Sequence, residues 1–252
     1  EDLTNIGAGT YTVTVTDNNG CIDTETITIT QPNPYVSSYT QSNYNGYGVS
    51  CNGDTNGDID VTVSGGTQPW SFNWNTGDTT EDLTNLGAGT YILTSNDING
   101  CQITETVNIS ESGTMVSNFN TTNWNGYQIQ CNGFNNGQIT MNVSGGVISL
   151  PYSYDIDGTT NSTNIFSNLN QATYLITATD ANGCTVSNTV IMTEPDSSVD
   201  ATYTQSDYNG VGVSCNGDTN GSIDVSVLGG VRNYNYSWST SDTTEDLTNI
   251  GA

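Results

Sequence analysis

The stretch Gly57-Asp58-Ile59-Asp60-Val61-Thr62-Val63-Ser64-Gly65-Gly66 decides the fold. Ile59, Val61 and Val63 alternate with Asp58, Asp60 and Thr62, a period of two that fits a strand with one buried and one wet face. The Gly-Gly pair ends that strand. The pattern returns as Ile139, Met141 and Val143 before Gly145-Gly146, and as Ile223, Val225 and Val227 before Gly229-Gly230. An aromatic alternation follows each time: Trp70, Phe72 and Trp74, then Tyr152, Tyr154 and Ile156, then Tyr234, Tyr236 and Trp238. Alternating tryptophans on a strand are expected in a core.

Leu83 and Leu86 lead into Gly89-Thr90-Tyr91 and another alternating strand. A Leu-x-x-Gly-x-Tyr run of this kind resembles the tyrosine corner of Ig-like sandwiches, where the phenol fixes the crossing between sheets. Asp17-Asn18-Asn19-Gly20 supplies a turn with glycine available for positive φ, and Ile27 and Ile29 mark a last strand. About seven short strands in roughly 80 residues, without helical periodicity, predict an all-β protein of tandem Ig-like β-sandwich domains in an elongated, filament-like array.

Repetition sets the organisation. Glu81 to Tyr91 repeats Glu1 to Tyr11 with one change, Leu86 for Ile6. Asn-Gly-Cys triplets end at Cys21, Cys101 and Cys184, 80 and 83 apart; Cys-Asn-Gly triplets begin at Cys51, Cys131 and Cys215, 80 and 84 apart. Extra residues of the later copies fall around Ile148 to Thr160 and near Asp196, where loops are expected. The octets Glu1–Ala8 and Glu245–Ala252 are identical, so the sequence reads as a window on a longer array. The expected domains are 1–32, the C-terminal part of one repeat; 33–112 and 113–195, two complete repeats; and 196–252, the N-terminal part of another.

Composition narrows the function. The 252 residues include one Lys or Arg, 26 Asp or Glu and no His, for a net charge of −25. With Arg232 as the lone cation, nucleic acid and anionic membrane surfaces are unsuitable partners. Triads with His, Ser–Lys pairs and Schiff-base lysines are excluded by the same count. No apolar run approaches the ~18–20 residues of a spanning helix, and no signal peptide is present, so a mature segment without membrane insertion is expected.

Six cysteines without CxxC spacing, in an acidic Thr-rich chain, suggest disulfides and not zinc. Two pairings fit the period. In the preferred one, Cys51–Cys101 and Cys131–Cys184 close each repeat, while Cys21 and Cys215 bond outside this stretch; a 50-residue loop would then contribute about 4 kcal/mol. In the other, Cys21–Cys51, Cys101–Cys131 and Cys184–Cys215 bridge neighbours.

The succession Cys-Asn-Gly, Asn-Gly-Asp-Ile, Ser-Gly-Gly, Pro-aromatic-Ser-aromatic, Leu-Gly-Ala-Gly-Thr-Tyr and Asp-x-Asn-Gly-Cys resembles the SprB-type repeat of very large cell-surface adhesins of gliding Bacteroidota. The likeness covers the chain and recurs with its period. It implies export by the type IX secretion system, an extracellular filament attached at the outer membrane, and partnership with the gliding machinery. The long approach to each Cys-Asn-Gly, Tyr39–Gly46, Phe119–Gly126 and Tyr203–Gly210, departs from that pattern.

Several local features bear on sites. Asp54, Asn56 and Asp58 resemble the start of an EF-hand loop, but Ile59 and Gly65 stand where glycine and glutamate are needed, and the second copy has Phe134, Asn136 and Gln138. An Asx-rich turn is the preferred reading; no cofactor is expected beyond calcium loosely held by the acidic field. Tyr44, Trp124 and Tyr208 lie in Asn/Asp-aromatic-Asn-Gly, and are expected to pack against a neighbouring domain or to stack on sugar. Thr79 and Thr243 follow aspartate as in a bacterial O-glycosylation signal. Paired carboxylates such as Glu81/Asp82 and Glu245/Asp246 are the only groups suited to acid–base work, and they read as a solvated face. The expected function is a non-enzymatic stalk segment of an adhesin filament, with neighbouring repeats as partners; a carbohydrate-binding array contacting surface polysaccharide is the alternative.

Overall fold

A computed structural model describes residues 2–148 and 151–251. Glu1 and Ala252, which open and close the duplicated octets, and residues 149–150 of the expected insertion lie outside the described residues. No helix occurs among the described residues; the strands form small antiparallel sheets, none closed into a barrel. The chain divides into two compact units, one running to Ser112 and one beginning at Gly113.

In the first unit, β1 (Gly9–Thr16) and β2 (Ile22–Ile29) form a hairpin. Its wet face carries Thr pairs across the strands, Thr10–Thr28, Thr12–Thr26 and Thr14–Thr24, at 3.4, 3.2 and 3.5 Å. The complete repeat that follows holds β3 (Val36–Gln41), β4 (Gly57–Ser64), β5 (Ser71–Trp74), β6 (Leu83–Leu86), β7 (Gly89–Asn96) and β8 (Gln102–Ile109). They make two three-stranded sheets, ordered β3-β4-β6 and β5-β7-β8. The alternation over 57–64 does what its period requires: Ile59, Val61 and Val63 are buried and Asp58, Asp60 and Thr62 exposed. Opposite them lie Trp74, Leu93, Val107 and Ile109, so the two inner faces share one core. Trp74 satisfies its indole N–H on the Thr80 carbonyl at 3.0 Å.

The tyrosine corner forms. Tyr91 donates its hydroxyl to the Gly87 carbonyl at 3.0 Å, and Tyr11 to Gly7 at 2.8 Å. Tyr174 reaches Asn170 the same way, through both its carbonyl and its side chain. Strand pattern alone does not bury a residue, however. Val13 is 48% exposed in the β1–β2 hairpin, whereas Leu93, its counterpart one period later, is fully buried against the rest of a repeat.

The second unit repeats this plan with β9 (Gly113–Thr121), β10 (Gly137–Gly146), β11 (Ser153–Ile156), β12 (Thr159–Asn161), β13 (Ile165–Leu169), β14 (Ala172–Thr179) and β15 (Thr185–Met192). The sheets are β13-β10-β9 and β12-β11-β14-β15, the extra strand β12 coming from the insertion. Asp157 and Gly158, both at positive φ (48° and 83°), form its tight hairpin turn. The third copy contributes β16 (Asp200–Gln205), β17 (Gly221–Leu228) and β18 (Leu247–Ile250). Its aromatic run Tyr234–Trp238 is not a strand: in the complete repeat the equivalent β5 pairs with β7, and the described residues 196–251 hold no such strand.

Each complete repeat has distinct ends. In residues 33–112 the entrance end gathers Asn33–Tyr35, Gly66 and the turn Asp97–Cys101: Gly66 donates to the Asn33 carbonyl at 2.9 Å and Tyr35 contacts Ser95. A Cβ on Gly65 would meet the Pro34 carbonyl at 1.9 Å, and Gly65 has φ of 74°, so only glycine lets the chain enter so closely. The exit end gathers the loop 48–56 and the segment Ile109–Ser112.

Candidate functional site

The loop after β3 builds the exit end. Asn45 and Gly46, with φ of 50° and 96°, make an Asn-Gly hairpin turn closed by Tyr44 N–H to Tyr47 O at 2.7 Å. Tyr44 is therefore the first corner of that turn, and its hydroxyl donates to the Asn56 carbonyl at 3.2 Å. Tyr208 does the same to Asn220 at 3.3 Å. Trp124 has no hydroxyl; it is 42% exposed and lines a cavity of about 420 Å³ with Phe134, Pro195, Val199 and Val231.

The Cys-Asn-Gly turn that follows is knitted by its own side chains. Asn56 Oδ1 accepts the Ser50 N–H at 3.1 Å while its amide donates to Ser50 Oγ at 2.7 Å. Asp54 accepts from Ser50 Oγ and from the Cys51 N–H. The Asp54 and Asn56 oxygens proposed for calcium thus serve donors of their own turn, and Asp58 contributes its backbone N–H to Ser42 Oγ at 3.0 Å. No cluster of three or more His, Cys, Asp or Glu suited to a metal occurs among the described residues. Thr79 and Thr243 are exposed on the loop after the aromatic run.

This turn grips the outgoing chain. Gly48 and Val49 donate to the Ser110 carbonyl at 2.8 and 3.2 Å. Asn52 Nδ2 donates to the Ser112 carbonyl at 2.9 Å, and Glu111 Oε2 accepts the Gly53 N–H at 2.7 Å. The second repeat copies each contact: Gln128 and Ile129 to Thr193, Asn132 to Pro195 at 2.9 Å, Gly133 to Glu194 at 2.7 Å. Among residues 196–252 the equivalent groove is open, about 530 Å³ lined by Val211, Val213, Gly221, Ile223 and Ile250.

At the entrance end, the aspartate four residues before each hairpin cysteine holds its turn. Asp97 Oδ1 accepts from Asn99 and Cys101 at 2.9 and 2.8 Å, and Oδ2 from Thr67 at 2.9 Å. Asp180 does likewise for Asn182, Cys184 and Val147. Burial pushes the Asp97 carboxyl up, but the backbone N–H groups of Thr67, Cys101 and Asn99 outweigh it, leaving Asp97 below the ordinary carboxylate value. Asp17 is lowered too, chiefly by the Cys21 and Asn19 backbone donors. Sequence reading took these residues as a turn and missed the carboxylate's role; the signal was its fixed offset from cysteine.

The cysteines correct the preferred pairing. Cys51 and Cys184 are disulfide-bonded, whereas Cys101, Cys131, Cys21 and Cys215 are exposed free thiols. Neither Cys51–Cys101 nor Cys131–Cys184 is formed. The reason is strand length: Cys51 lies at the exit end beside Ser110–Ser112, and Cys101 precedes the eight-residue β8 that runs to that end. Eight residues rise about 26 Å, against the ~4.4–6.8 Å between Cα atoms of a disulfide. The bridging alternatives Cys21–Cys51, Cys101–Cys131 and Cys184–Cys215 are not formed either, since each includes a free thiol.

Fold and loops together define a tandem array of small β-sandwiches whose conserved-register turns clasp the chain between copies. Three stretches of that array, residues 49–79, 128–161 and 211–243, match the SprB repeat family. Each match runs from the Cys-Asn-Gly turn through the Ile/Val strand to the loop after the aromatic run, bearing out the resemblance read from the sequence. No curated protein matches the chain. SprB repeats belong to cell-surface proteins, and such a repeat implies membership of a larger multi-repeat chain.

Proposed function

We propose that this chain is a stalk segment of a secreted adhesin filament, serving surface adhesion and gliding. The observation that carries the reading is the double clasp at the exit end: Asn52 and Glu111 in one repeat, Asn132 and Glu194 in the next, anchor the outgoing chain in the same way. A part whose job is to transmit length and load needs its joints fixed alike, copy after copy. The −25 charge supports the same role, because like-charged filaments repel and remain unbundled. Calcium acts here as a diffuse counter-ion of that field.

The segment performs no catalysis in this reading; it contributes reach, with neighbouring repeats, the gliding apparatus and the type IX secretion machinery as its partners. Immunogold labelling of producing cells with antibody against residues 33–195 tests it. Label along surface filaments is expected; label confined to the cell interior would overturn it. One observation favours a second reading, a polysaccharide-binding array: Trp124 faces an open cavity with amide neighbours Asn125, Gln130 and Asn132. A glycan array decides it, with binding lost in Trp124→Ala expected for the array and silence expected for the stalk.

A further inference from the structure

Asn-Gly is the asparagine step most open to deamidation, because glycine puts no side chain around the backbone nitrogen that attacks. The chain holds twelve such steps, four kinds in three copies. Eleven are braced. In the hairpin turns, Gly20, Gly100 and Gly183 donate their N–H groups to the carbonyls of Asp17, Asp97 and Asp180. In the turns after β3, β9 and β16, Gly46, Gly126 and Gly210 donate to the side chains of Asn43, Asn123 and Asp207. Before β4, β10 and β17, the amides of Asn56, Asn136 and Asn220 are held through both oxygen and nitrogen by Ser50, Gln130 and Ser214. In the Cys-Asn-Gly turns, Glu111 and Glu194 accept the Gly53 and Gly133 N–H groups, and Asn52 and Asn132 donate to Ser112 and Pro195. The twelfth step, Asn216-Gly217, has neither brace: among the described residues nothing accepts the Gly217 N–H or bonds the Asn216 side chain. We propose that Asn216 is the deamidation site of this chain, and that the exit clasp is what protects its counterparts Asn52 and Asn132.

The molecule supplies its own control. Ser50–Gly57 and Ser214–Gly221 are the same octet, Ser-Cys-Asn-Gly-Asp-Thr-Asn-Gly. Both fold into the same turn: Asp54 N–H reaches Cys51 O, and Asp218 N–H reaches Cys215 O, each at 3.1 Å. Gly53 and Gly217 have φ of 83° and 89°. Local sequence and backbone therefore cancel, leaving the clasp and the state of the sulfur, since Cys51 is disulfide-bonded and Cys215 is a thiol. Asn132 separates these two, being clasped by Glu194 yet next to the free thiol Cys131. Asn216 is exposed and lines the open groove, so water reaches it.

The chemistry needs only water. The Gly217 nitrogen gives up its proton and attacks Asn216 Cγ; the new C–N bond closes a succinimide, and the side-chain nitrogen leaves as ammonia. Water then opens the ring at either carbonyl, giving aspartate or isoaspartate. In sum, one amide and one water become one carboxylate and one ammonium. The clasp blocks the first step. A glycine N–H held by a carboxylate is turned away from Cγ, and its deprotonation would build negative charge against the glutamate. The product matters to the joint. A carboxylate accepts and cannot donate, so it cannot hold a carbonyl as Asn52 and Asn132 do, and isoaspartate adds a methylene to the backbone. A clasped turn preserves itself, and an unclasped one loses its grip for good.

The test is deamidation of the full 252-residue chain at mildly alkaline pH, quenched in acid, reduced, alkylated, digested with pepsin and read by mass spectrometry. Flanking residues Tyr47–Val49 and Val211–Val213 tell the two octets apart. Asn216 should convert about tenfold or more faster than Asn52 and Asn132, the factor to which one charge-assisted hydrogen bond converts. Equal rates at the three would overturn the proposal. So would Asn132 converting as fast as Asn216, which would assign protection to the Cys51 bond. In Glu111→Ala the Asn52 rate should rise toward that of Asn216, whereas in Glu111→Gln, which keeps an acceptor oxygen, it should stay nearer the native rate. Asn99, braced within its own turn, should keep its rate in both variants and so reports an intact fold. An Asn52 rate unmoved by Glu111→Ala would contradict the protective role of the clasp.

Discussion

Asn52 donates its side-chain amide to the backbone carbonyl of Ser112 at 2.9 Å, tying a turn in the first third of the repeat to the last residue of its unit. The two are 60 residues apart, and the bond is what converts a loose C-terminal segment into a fixed departure point. Asn52→Ala removes the donor and leaves the carbonyl to water. A loss of about 1 kcal/mol is expected, with faster hydrogen exchange at Gly53 and Gly113. Unchanged exchange there would show that the clasp does not hold the exit.

Gly145→Ala attacks the entrance. A Cβ at this position would lie 2.0 Å from the Thr114 carbonyl, and Gly145 has φ of 85°. The left-handed backbone alone costs an L residue about 1–2 kcal/mol, before any displacement of β9. Denaturant unfolding should show at least that loss.

Asp97 sets an acid limit. Its native value lies below the ordinary 3.8, so its contribution to stability is present above 3.8 and is lost as pH falls from there through the depressed value. Asp97→Asn cannot accept Thr67, Asn99 and Cys101 together, since one of its two oxygens becomes a donor. The variant should unfold at lower temperature at neutral pH and converge with the native chain in strong acid. A constant difference down to pH 2 would contradict this.

Screening should stabilise the whole chain. With net charge −25, raising ionic strength from ~0.01 to ~0.15 M shortens the Debye length from about 30 to about 8 Å. Relief of about 1 kcal/mol per repeat would raise Tm by about 4–8 °C in calorimetry, whether the added cation is sodium or, at equal ionic strength, calcium. A much larger rise with calcium would require a dedicated site.

The strands were legible from sequence because burial on one face leaves a period of two; Ile59, Val61 and Val63 obey it residue by residue. Tyr91 was legible because its corner is a local bond over four residues. The cysteine pairing was not, since spacing along the chain says nothing of which end of a sandwich each residue occupies. That required knowing that β8 carries the chain from the Cys101 turn back to the Cys51 loop. The clasps by Asn52 and Glu111 escaped for the same reason, being contacts across about 60 residues between polar groups common in any turn. The number of strands also varied with local detail: six in the first complete repeat, and seven in the second, where the insertion supplies β12.

The most direct measurement of a load-bearing repeat array is single-molecule extension of the chain, pulled from its two ends, with and without reductant. The account predicts discrete unfolding steps in reductant as the repeats give way one after another. A featureless extension in reductant would contradict the reading of these repeats as folded, load-bearing units.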